Sequence, residues 1–420
     1  MILYRLFIWL YPIVAKLISP FNEKAKQWVK GQASVWDEIQ ILSSQIKGPI
    51  IWVHCASYGE FEQGLPIITA LKKNYPTHQI WVTFFSPSGY LHRKQDPNVD
   101  FVSYLPLDSP IAASKWMELV QPKCIVFVKY EFWYFYLKIA AQRKIPTILV
   151  SAIFRPDQIF FKYYGGFYRK MLQLFTRILV QDARSKELIS PLLIDTQIAI
   201  SGDTRFDRVM DIATVKQSID WIARLANVDM IVAGSTWEQD HALIGTVSAQ
   251  WNQYNWIVVP HHVDAAAIKA CQSHFNNAIR LSEWLNGSAK MENPMVLIVD
   301  QIGLLSSLYQ YAKIAYIGGG FTKDGIHNVL EAAVFGKPVL WGPNDAKYIE
   351  AIGLRNANGG IQIKDATSLN DAIGKLLKDA DYCKVIGDAA ANYVQKNAGA
   401  TQKTLDQIKQ IFASPKDQKL

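Results

Sequence analysis

Short apolar runs separated by helical segments recur along the whole chain, and this alternation constrains the fold more than any single motif. The first half has such runs at residues 50–54, 80–84, 124–128, 147–151, 178–181 and 197–201. The second half has them at residues 230–233, 256–260, 295–299, 314–317 and 338–341. Runs of this kind are typical of strands buried on both faces, and intervening helices make neighbouring strands parallel. The sequence therefore predicts an α/β protein with doubly wound sheets.

Residues 202–211 are richer in charge than their surroundings and separate the two halves. A chain of 420 residues has room for about two to three domains. We therefore expect a first α/β domain at residues 22–203 and a second at residues 204–413. Residues 1–21 are expected to form a separate membrane-associating segment, and residues 414–420 a frayed tail.

The composition limits the classes of partner and compartment. Half of the residues are hydrophobic and 19% are charged, which fits a large packed core. The net charge of +8 suits acidic partners such as nucleic acid, anionic lipid or a phosphorylated substrate. No nucleic-acid-binding motif and no long basic run is present, so we expect no nucleic-acid partner. The four widely spaced cysteines indicate a reducing compartment, and the histidines have no metal-ligand spacing, so no metal is expected.

The first 21 residues, MILYRLFIWLYPIVAKLISPF, are the most apolar segment. Arg5, Pro12 and Lys16 interrupt it, and in residues 1–30 five basic side chains against one acidic one give a net charge of +4. Aromatic and apolar residues with basic flanks are typical of the cytoplasmic face of a membrane. The segment predicts an N-terminal anchor or an interfacial helix, without deciding whether it spans the membrane or lies on it. The alternative is a helix packed on the protein's own core.

Residues 314–344 read as a strand, a glycine loop, a short helix and a second strand. Gly318, Gly319 and Gly320 follow the strand and allow close approach of a ligand to the backbone. Asn328 and Glu331 have the spacing of a helix-capping pair. A helix N-terminus suits a phosphate or a sugar, although these two residues could simply cap their own helix.

Polar turns follow other strands of the second half. They contain Gly234 to Thr236 in AGSTWEQD, Pro260 and His261 in VVPHHVD, and Gly303 in DQIGLLSSLY. Because carboxyl ends of parallel strands meet at one edge of a sheet, these turns converge with the glycine loop. The convergence predicts a nucleotide site in the second half.

Carboxylates follow two strands of the first half. The turn CASYGE places Ser57, Gly59 and Glu60 after the strand at residues 50–54, and Glu131 lies just past the strand at residues 124–128. Glu60 could act as a general base toward a substrate hydroxyl. A helix N-terminus would weaken it as a base, whereas burial would strengthen it. The alternative is that Glu60 only stabilises the start of its helix.

The motifs taken together resemble the 3-deoxy-D-manno-octulosonic acid (Kdo) transferases of lipopolysaccharide synthesis in Gram-negative bacteria. The matching runs, in family order, are WVHCASYGE, TFFSPSG, VKYEFW, AGSTWEQD, VPHHVD, DQIGLLSSLY and GIHNVLEAA. The resemblance implies a GT-B fold, with two Rossmann-like domains facing across a cleft. It also implies inverting, metal-independent transfer of Kdo from CMP-Kdo to a lipid A precursor (lipid IVA) on the cytoplasmic side of the inner membrane. CMP-Kdo is then the donor substrate, and no cofactor is expected.

The same resemblance implies roles for individual residues. Glu60 matches the catalytic base, with Ser57, Gly59 and Glu131 on the acceptor side. The expected CMP-binding residues are Pro260, His261, Gly303, Leu304, Leu305, Asn328, Val329, Leu330 and Glu331. Ser235, Thr236, Gly319 and Gly320 are possible donor-loop residues. Two alternatives stay open: another GT-B nucleotide-sugar transferase or epimerase, and a non-enzymatic membrane-associated binding protein.

Overall fold

The computed structural model describes residues 1–215, 218–225, 228–287 and 295–413. The chain forms two compact units. The first comprises Met1–Arg208 and the C-terminal segment from Ala398, and the second comprises Val209–Asn397. Each unit is built on its own parallel sheet of seven strands.

The sheet of the first unit has the strand order β3-β2-β1-β4-β5-β6-β7. Its strands are β1 (Ile50–His54), β2 (Gln79–Phe84), β3 (Phe101–Tyr104), β4 (Pro122–Val128), β5 (Thr147–Ala152), β6 (Arg177–Val180) and β7 (Ile198–Ile200). Strands β1 and β5 are buried throughout and β4 is buried except at Lys123, in agreement with the continuous apolar runs.

Helices cover both faces of this sheet. They are α1 (Ile2–Ile18), α2 (Glu23–Ser43), α3 (Tyr58–Asn74), α4 (Pro87–Arg93), α5 (Pro110–Val120), α6 (Tyr134–Gln142), α7 (Gly166–Leu172), α8 (Ala183–Ile189), α9 (Thr204–Thr214), which crosses the unit boundary, and the last helix, α18 (Ala400–Ala413). Short polar residues start several of them: the side chains of Asn22, Ser109 and Asp182 each accept a hydrogen bond from a backbone N–H in the first turn.

The sheet of the second unit has the order β10-β11-β9-β8-β12-β13-β14. Its strands are β8 (Met230–Thr236), β9 (Asn255–Pro260), β10 (Ala278–Arg280), β11 (Val296–Ile298), β12 (Ala312–Ile317), β13 (Val339–Trp341) and β14 (Gly360–Gln362). Its helices are α10 (Glu238–Ser248), α11 (Ala265–Gln272), α12 (Leu281–Leu285), α13 (Leu305–Leu308), α14 (Leu330–Ala333), α15 (Ile349–Asn356), α16 (Ala366–Lys378) and α17 (Ala380–Asn397). Short 3₁₀ turns occupy Ile159–Phe161, Ser190–Leu192, Asp195–Gln197, Asp220–Arg224 and Tyr309–Tyr311.

The strand order reverses at one place in each sheet. In the first unit the reversal lies between β1 and β4, and in the second it lies between β8 and β12. Open α/β sheets bind ligands beyond the carboxyl ends of the strands at such a switch point. We therefore expect the ligand site of each unit to lie at its switch point.

Helix α18 packs on the first unit, so the units differ from the predicted ranges 22–203 and 204–413. Leu405, Ile408 and Ile411 are buried in the core of the first unit. The carboxylate of Asp207 accepts hydrogen bonds from the backbone N–H groups of Gly399 and Thr401. The predicted boundary assigned α18 to the second domain because it follows that domain in sequence, whereas its apolar side covers the first sheet. The tail at residues 414–420, expected to be frayed, lies outside the described residues.

Helix α1 packs on the first unit along one side and exposes apolar residues on the other. Ile8 is buried, and the Tyr11 ring contacts the rings of Trp28 and Phe85 at centroid distances of 5.0 and 5.3 Å. Leu3 is 81% exposed and Leu17 is 70% exposed. Among the described residues, no helix combines the length and the hydropathy that crossing a membrane requires.

A partly buried hydrogen bond fixes the beginning of α1. The Tyr4 hydroxyl donates to the carboxylate of Asp108, which also accepts from the backbone N–H groups of Phe135 and Tyr136 at 3.0 and 3.1 Å. Asp108 therefore caps α6 and holds α1 through one side chain. Burial raises the pKa of Asp108 to about 6.

We expect Tyr4→Phe to lower the free energy of unfolding by about 1–3 kcal/mol, because a buried carboxylate oxygen loses its hydroxyl donor. Urea denaturation measures the change. Tyr11→Phe is the matched control, since the Tyr11 hydroxyl makes no hydrogen bond within the described part of the chain. Equal stability of the two variants would contradict the assigned role of Tyr4.

Candidate active site

Glu60 lies in the first turn of α3, directly beyond β1. Its Oε2 atom accepts hydrogen bonds from the backbone N–H of Ser57 at 2.9 Å and from the Ser57 hydroxyl at 3.2 Å. This is a capping box, so Glu60 does stabilise the start of its helix, as the alternative to a catalytic role requires. The described residues give its other oxygen, Oε1, no hydrogen-bond donor. One carboxylate oxygen can therefore cap the helix while the other is available for a proton.

Gly59 leaves the surface above this turn open. It is exposed, and a Cβ built on it would meet nothing within 4 Å. The neighbouring protein atoms therefore do not require glycine here. The start of α3, where Ser57, Gly59 and Glu60 lie together, is accessible to a ligand.

Glu131 follows β4, the neighbour of β1 across the switch point, and is 8% exposed. Its Oε2 atom accepts from the indole N–H of Trp133 at 2.6 Å and lies 3.1 Å from Nε2 of His54. A carboxylate only accepts, so His54 carries a proton on Nε2. In the neutral imidazole, Nδ1 then accepts from the Thr83 hydroxyl at 2.8 Å. This buried network fixes the position of the Glu131 carboxylate.

The environment of Glu60 makes it a stronger base than an ordinary glutamate. Burial raises its pKa most, and the negative charge of Glu131 raises it further, against the opposing effects of His54 and the Ser57 hydrogen bonds. The net pKa is raised, so burial and charge repulsion outweigh the capping contacts. A base with a raised pKa accepts a hydroxyl proton more readily.

In the second unit, Asp240 ties two loops together at the switch point. Its buried carboxylate accepts from the backbone N–H of Gly319 at 2.8 Å, from that of Trp237 at 2.9 Å and from the Tyr316 hydroxyl at 2.6 Å. The turn after β8 and the glycine loop after β12 are thereby held as one structure. Sequence reasoning missed Asp240, although its position in AGSTWEQD is the N3 position of a capping box.

The glycines of the loop are required by the protein's own packing. A Cβ on Gly318 would approach the carbonyl oxygen of Ser235 to 2.4 Å, and one on Gly320 would approach the backbone N of Gly342 to 2.5 Å. Gly319 has a φ of +89°, in the left-handed region. Thr236 is buried, and its hydroxyl lies 2.9 Å from Nε2 of His241. Thr236, one of the possible donor-loop residues, therefore points its hydroxyl into the protein, toward His241.

Three rings form a stack at the same edge. The indole N–H of Trp237 donates to Nε2 of His327 at 2.9 Å, and the two rings are nearly coplanar, with an interplanar angle of 7°. The ring of His261 stacks on both of them at centroid distances of 4.6 Å. Because Nε2 accepts, a neutral His327 carries its proton on Nδ1. Sequence reasoning missed Trp237 and His327 as site residues, although both lie within the matched runs.

Both stacked histidines are neutral near pH 7. Burial and the neighbouring His261 lower the pKa of His327 to about 4, and burial and His262 lower the pKa of His261. The chain therefore presents a neutral ring at His261 rather than a positive charge.

The remaining predicted donor-side residues form two short helix starts. Gly303 has a φ of +92° and open space around it, and Leu304 and Leu305 follow at the beginning of α13. The Asn328 side chain accepts from the backbone N–H of Leu330 at 3.1 Å and donates to Glu331 at 3.1 Å. This capping pair was predicted, although α14 begins at Leu330, two residues after Asn328. Val329 and Leu330 are fully buried, so only their backbone groups are available to a ligand.

A large cavity of the first unit lies away from the candidate site residues, and the described residues form no metal cluster. No group of three or more His, Cys, Asp or Glu side chains in the described ranges is placed to hold a metal ion. A cavity of about 760 Å³ is lined by Pro49, Pro122 and Pro146, which lie at the amino ends of β1, β4 and β5. That cavity is at the opposite edge of the sheet from Glu60.

Known proteins match this chain in both sequence and structure. Residues 31–208 match the family described as 3-deoxy-D-manno-octulosonic-acid transferase (kdotransferase). A 3-deoxy-D-manno-octulosonic acid transferase of Aquifex aeolicus is 30% identical over 348 residues, which cover 80% of this chain and 88% of that protein. The chain belongs to the Kdo transferase family. It is therefore a glycosyltransferase.

A second relative agrees with this assignment, and a solved structure shares the fold. The 3-deoxy-D-manno-octulosonic acid transferase of Rickettsia felis is 28% identical over 390 residues, covering 88% of this chain and 80% of that protein. A putative UDP-N-acetylglucosamine 2-epimerase of Listeria monocytogenes has a TM-score of 0.62 at 13% identity, covering 87% of this chain and 97% of that one. At that identity the structural likeness shows the fold alone. The expected GT-B class, with two Rossmann-like α/β units, is confirmed.

The repulsion between the two carboxylates can be tested directly. We expect Glu131→Gln to lower the pKa of Glu60, because a nearby negative charge that favours the protonated form is removed. Carboxyl ¹³C NMR of selectively labelled glutamate as a function of pH measures it. Glu118→Gln, an exposed substitution on α5, should leave the titration of Glu60 unchanged. An unchanged pKa in Glu131→Gln would show that Glu131 does not act on Glu60.

We expect Asp240→Ala to loosen the glycine loop, because the N–H groups of Gly319 and Trp237 lose their shared acceptor. Amide hydrogen exchange at Gly319 should accelerate at least about tenfold, which corresponds to roughly 1.4 kcal/mol of lost local stability. Glu238→Ala in the same helical turn is the control, since Glu238 is exposed. Equal exchange in the two variants would remove Asp240 from this role.

Proposed function

We propose that this protein transfers Kdo from CMP-Kdo to the lipid A precursor lipid IVA, with inversion and without a metal ion or cofactor, in lipopolysaccharide synthesis. Membership of the Kdo transferase family supports the sugar and the reaction class. The observation that carries the mechanism is Glu60, which lies at the switch point of the first sheet and has a raised pKa. Its Oε2 atom caps the helix, and its Oε1 atom receives no hydrogen bond from the described residues. The donor, the acceptor and the membrane face come from the family resemblance.

The proposed reaction is a single displacement. Oε1 of Glu60 takes the proton of the acceptor hydroxyl while that oxygen attacks the anomeric carbon of Kdo. The bond from this carbon to the CMP phosphate breaks, and CMP leaves with the electron pair. Attack on the side opposite the leaving group inverts the anomeric configuration. Glu60 ends the step protonated and loses its proton to solvent.

The surrounding residues prepare Glu60 for this step. Ser57 holds Oε2 through two hydrogen bonds, which fixes the direction in which Oε1 points. Glu131 raises the basicity of Glu60 and is itself held by His54 and Trp133. In this arrangement Glu131 acts on Glu60 through its charge and takes no proton itself. The proton of the acceptor hydroxyl passes to Glu60.

The second unit is proposed to bind the donor. The backbone N–H groups at Gly303–Leu305 and Asn328–Leu330 would contact the CMP phosphate, and Glu331 would hold the ribose. Pro260 and the neutral ring of His261 would contact the remainder of the nucleotide. Asp240 supports this proposal because it keeps the glycine loop in place against β8.

We propose that the protein works at the cytoplasmic face of the inner membrane through α1. The exposed side of that helix carries Leu3, Trp9 and Leu17, and the net charge of the whole chain is +8. Exposed apolar surface with basic residues nearby suits an interface with anionic lipid. This favours a helix that lies on the membrane.

We expect Glu60→Gln to reduce kcat for Kdo transfer by at least about 10²-fold, the low end of what a positioned base contributes. Product mass analysis with CMP-Kdo and lipid IVA measures transfer, and calorimetric titration with CMP measures donor binding, which should be unchanged. Glu118→Gln is the control for loss of a carboxylate elsewhere in the same unit. Unchanged transfer by Glu60→Gln would exclude Glu60 as the base. Transfer by the wild-type protein only from a UDP- or GDP-sugar would overturn the proposed donor.

We expect the combined substitutions Leu3→Gln, Trp9→Gln and Leu17→Gln to lower partitioning onto anionic phospholipid vesicles at least about tenfold, because each removes apolar area from the interface. Vesicle co-sedimentation measures the effect. Glutamine at Ile111, Ile194 and Val385, which are also exposed, is the matched control. Equal loss in both triple variants would place the membrane contact elsewhere.

A further inference from the structure

A mostly apolar cavity of about 300 Å³ lies between α1, α2 and the loop that follows β2. Val14 and Ile18 of α1, Ala25 and Trp28 of α2, and Phe85 of the loop form its apolar walls. A volume of about 300 Å³ is at the lower end of the range of small-molecule sites. The nucleotide site proposed above does not use this cavity, because all of its walls belong to the first unit.

The cavity is continuous with the exposed apolar side of α1. Val14 and Ile18 line it, and both are also among the exposed apolar residues of that helix, at 48% and 46% exposure. Lys24 lies on its lining as well and is exposed. The cavity thus borders the surface proposed to lie on the membrane, with a positive charge beside it.

The inner wall of the cavity is bonded to the turn that carries Glu60. The backbone N–H groups of Phe85 and Ser86 donate to the carbonyl oxygen of Ala56 at 3.2 and 2.7 Å. Ala56 directly precedes Ser57, which holds Glu60. The cavity wall and the candidate base are therefore parts of one connected structure.

A second contact links the same wall to the other carboxylate. The ring of Phe85 lies 5.0 Å, centroid to centroid, from the ring of Trp133. The indole N–H of Trp133 donates to Glu131. The cavity wall at Phe85 is thus connected to Glu131 through a single side chain, that of Trp133.

Trp28 lines the cavity with its indole ring. The residue is 4% exposed, and its indole N–H has almost no accessible surface, so a ligand in the cavity meets the carbon atoms of the ring. The hydrocarbon of an acyl chain matches this ring and the other apolar walls.

We propose that this cavity binds one acyl chain of the lipid acceptor and thereby positions the acceptor hydroxyl against Glu60. The proposal rests on the proposed function, because it assumes an acylated acceptor. In this arrangement the sugar-linked end of the chain lies beside Phe85, and its hydrocarbon runs past Val14 and Ile18 toward the membrane side of α1. Helix α1 is then a wall of the acceptor site as well as a membrane contact.

Filling the cavity tests the proposal. Ala25→Trp places an indole in it, and Ser34→Trp places the same side chain on the exposed side of α2 as a control. The probes are lipid IVA in detergent and the same disaccharide bisphosphate with its acyl chains removed. We expect Ala25→Trp to lower kcat/KM for the acylated acceptor at least about tenfold, and to leave kcat/KM for the deacylated acceptor and CMP binding unchanged. Ser34→Trp should match the wild type on both acceptors.

The outcomes separate the two proposals. If the wild-type protein forms no product from CMP-Kdo with either acceptor, the proposed function fails. If the wild type is active and Ala25→Trp matches it on the acylated acceptor, the cavity does not hold an acyl chain. An equal loss on both acceptors would also overturn the proposal, since it would indicate general damage to the site.

Direct occupancy can be measured without turnover. All four native cysteines are buried, so a cysteine introduced by Ala25→Cys reports on the cavity by its rate of reaction with a maleimide. We expect lipid IVA, but not the deacylated bisphosphate in the same detergent, to slow this reaction at least about fivefold. Ser34→Cys should react at one rate under both conditions. Equal rates for Ala25→Cys with both compounds would overturn the proposal even if the deacylated compound is no acceptor.

Discussion

The parallel arrangement of the strands is the constraint on which the candidate sites depend. Every described strand pairing in both sheets is parallel, so all strands of a sheet end at one edge, and their connections return through helices that begin at that edge. Polar turn residues that are far apart in sequence, such as Ser57 and Glu131, are thereby brought to the same place. The reversal of strand order then leaves room between two of these turns.

The electrostatics of the first unit resolve a conflict that the sequence leaves open. A glutamate in the first turn of a helix is stabilised in its charged form, whereas a buried glutamate beside another carboxylate is destabilised in that form. For Glu60 the second effect is larger, and its pKa is raised. Two neighbouring carboxylates repel each other, which costs free energy. The hydrogen bonds that His54 and Trp133 donate to Glu131 offset this cost. The result is a Glu131 carboxylate held in place by two donors beside a Glu60 carboxyl of raised pKa.

Much of the fold could be predicted because buried parallel strands produce long apolar runs, and all eleven predicted strands are present. The strands that sequence reasoning missed, β3, β10 and β14, have three or four residues and lie at sheet edges, where few apolar residues are needed. Residues that act near their own strand, such as Glu60 and Asn328, were predicted. Asp240 and the stack around His327 were not, because their partners are distant in sequence and the contacts depend on how β8 and β12 are paired.

The return of α18 to the first unit has a consequence for the order of folding. The second unit is continuous in sequence, whereas the first is completed only by the last helix, whose Leu405 and Ile408 fill its core. During synthesis the whole second unit therefore leaves the ribosome before the first unit can close. Until then, the side of α3 that α18 will cover is open, and α3 is the helix that presents Glu60. Helix α18 thus completes the core that strands β1 to β7 form earlier in the chain.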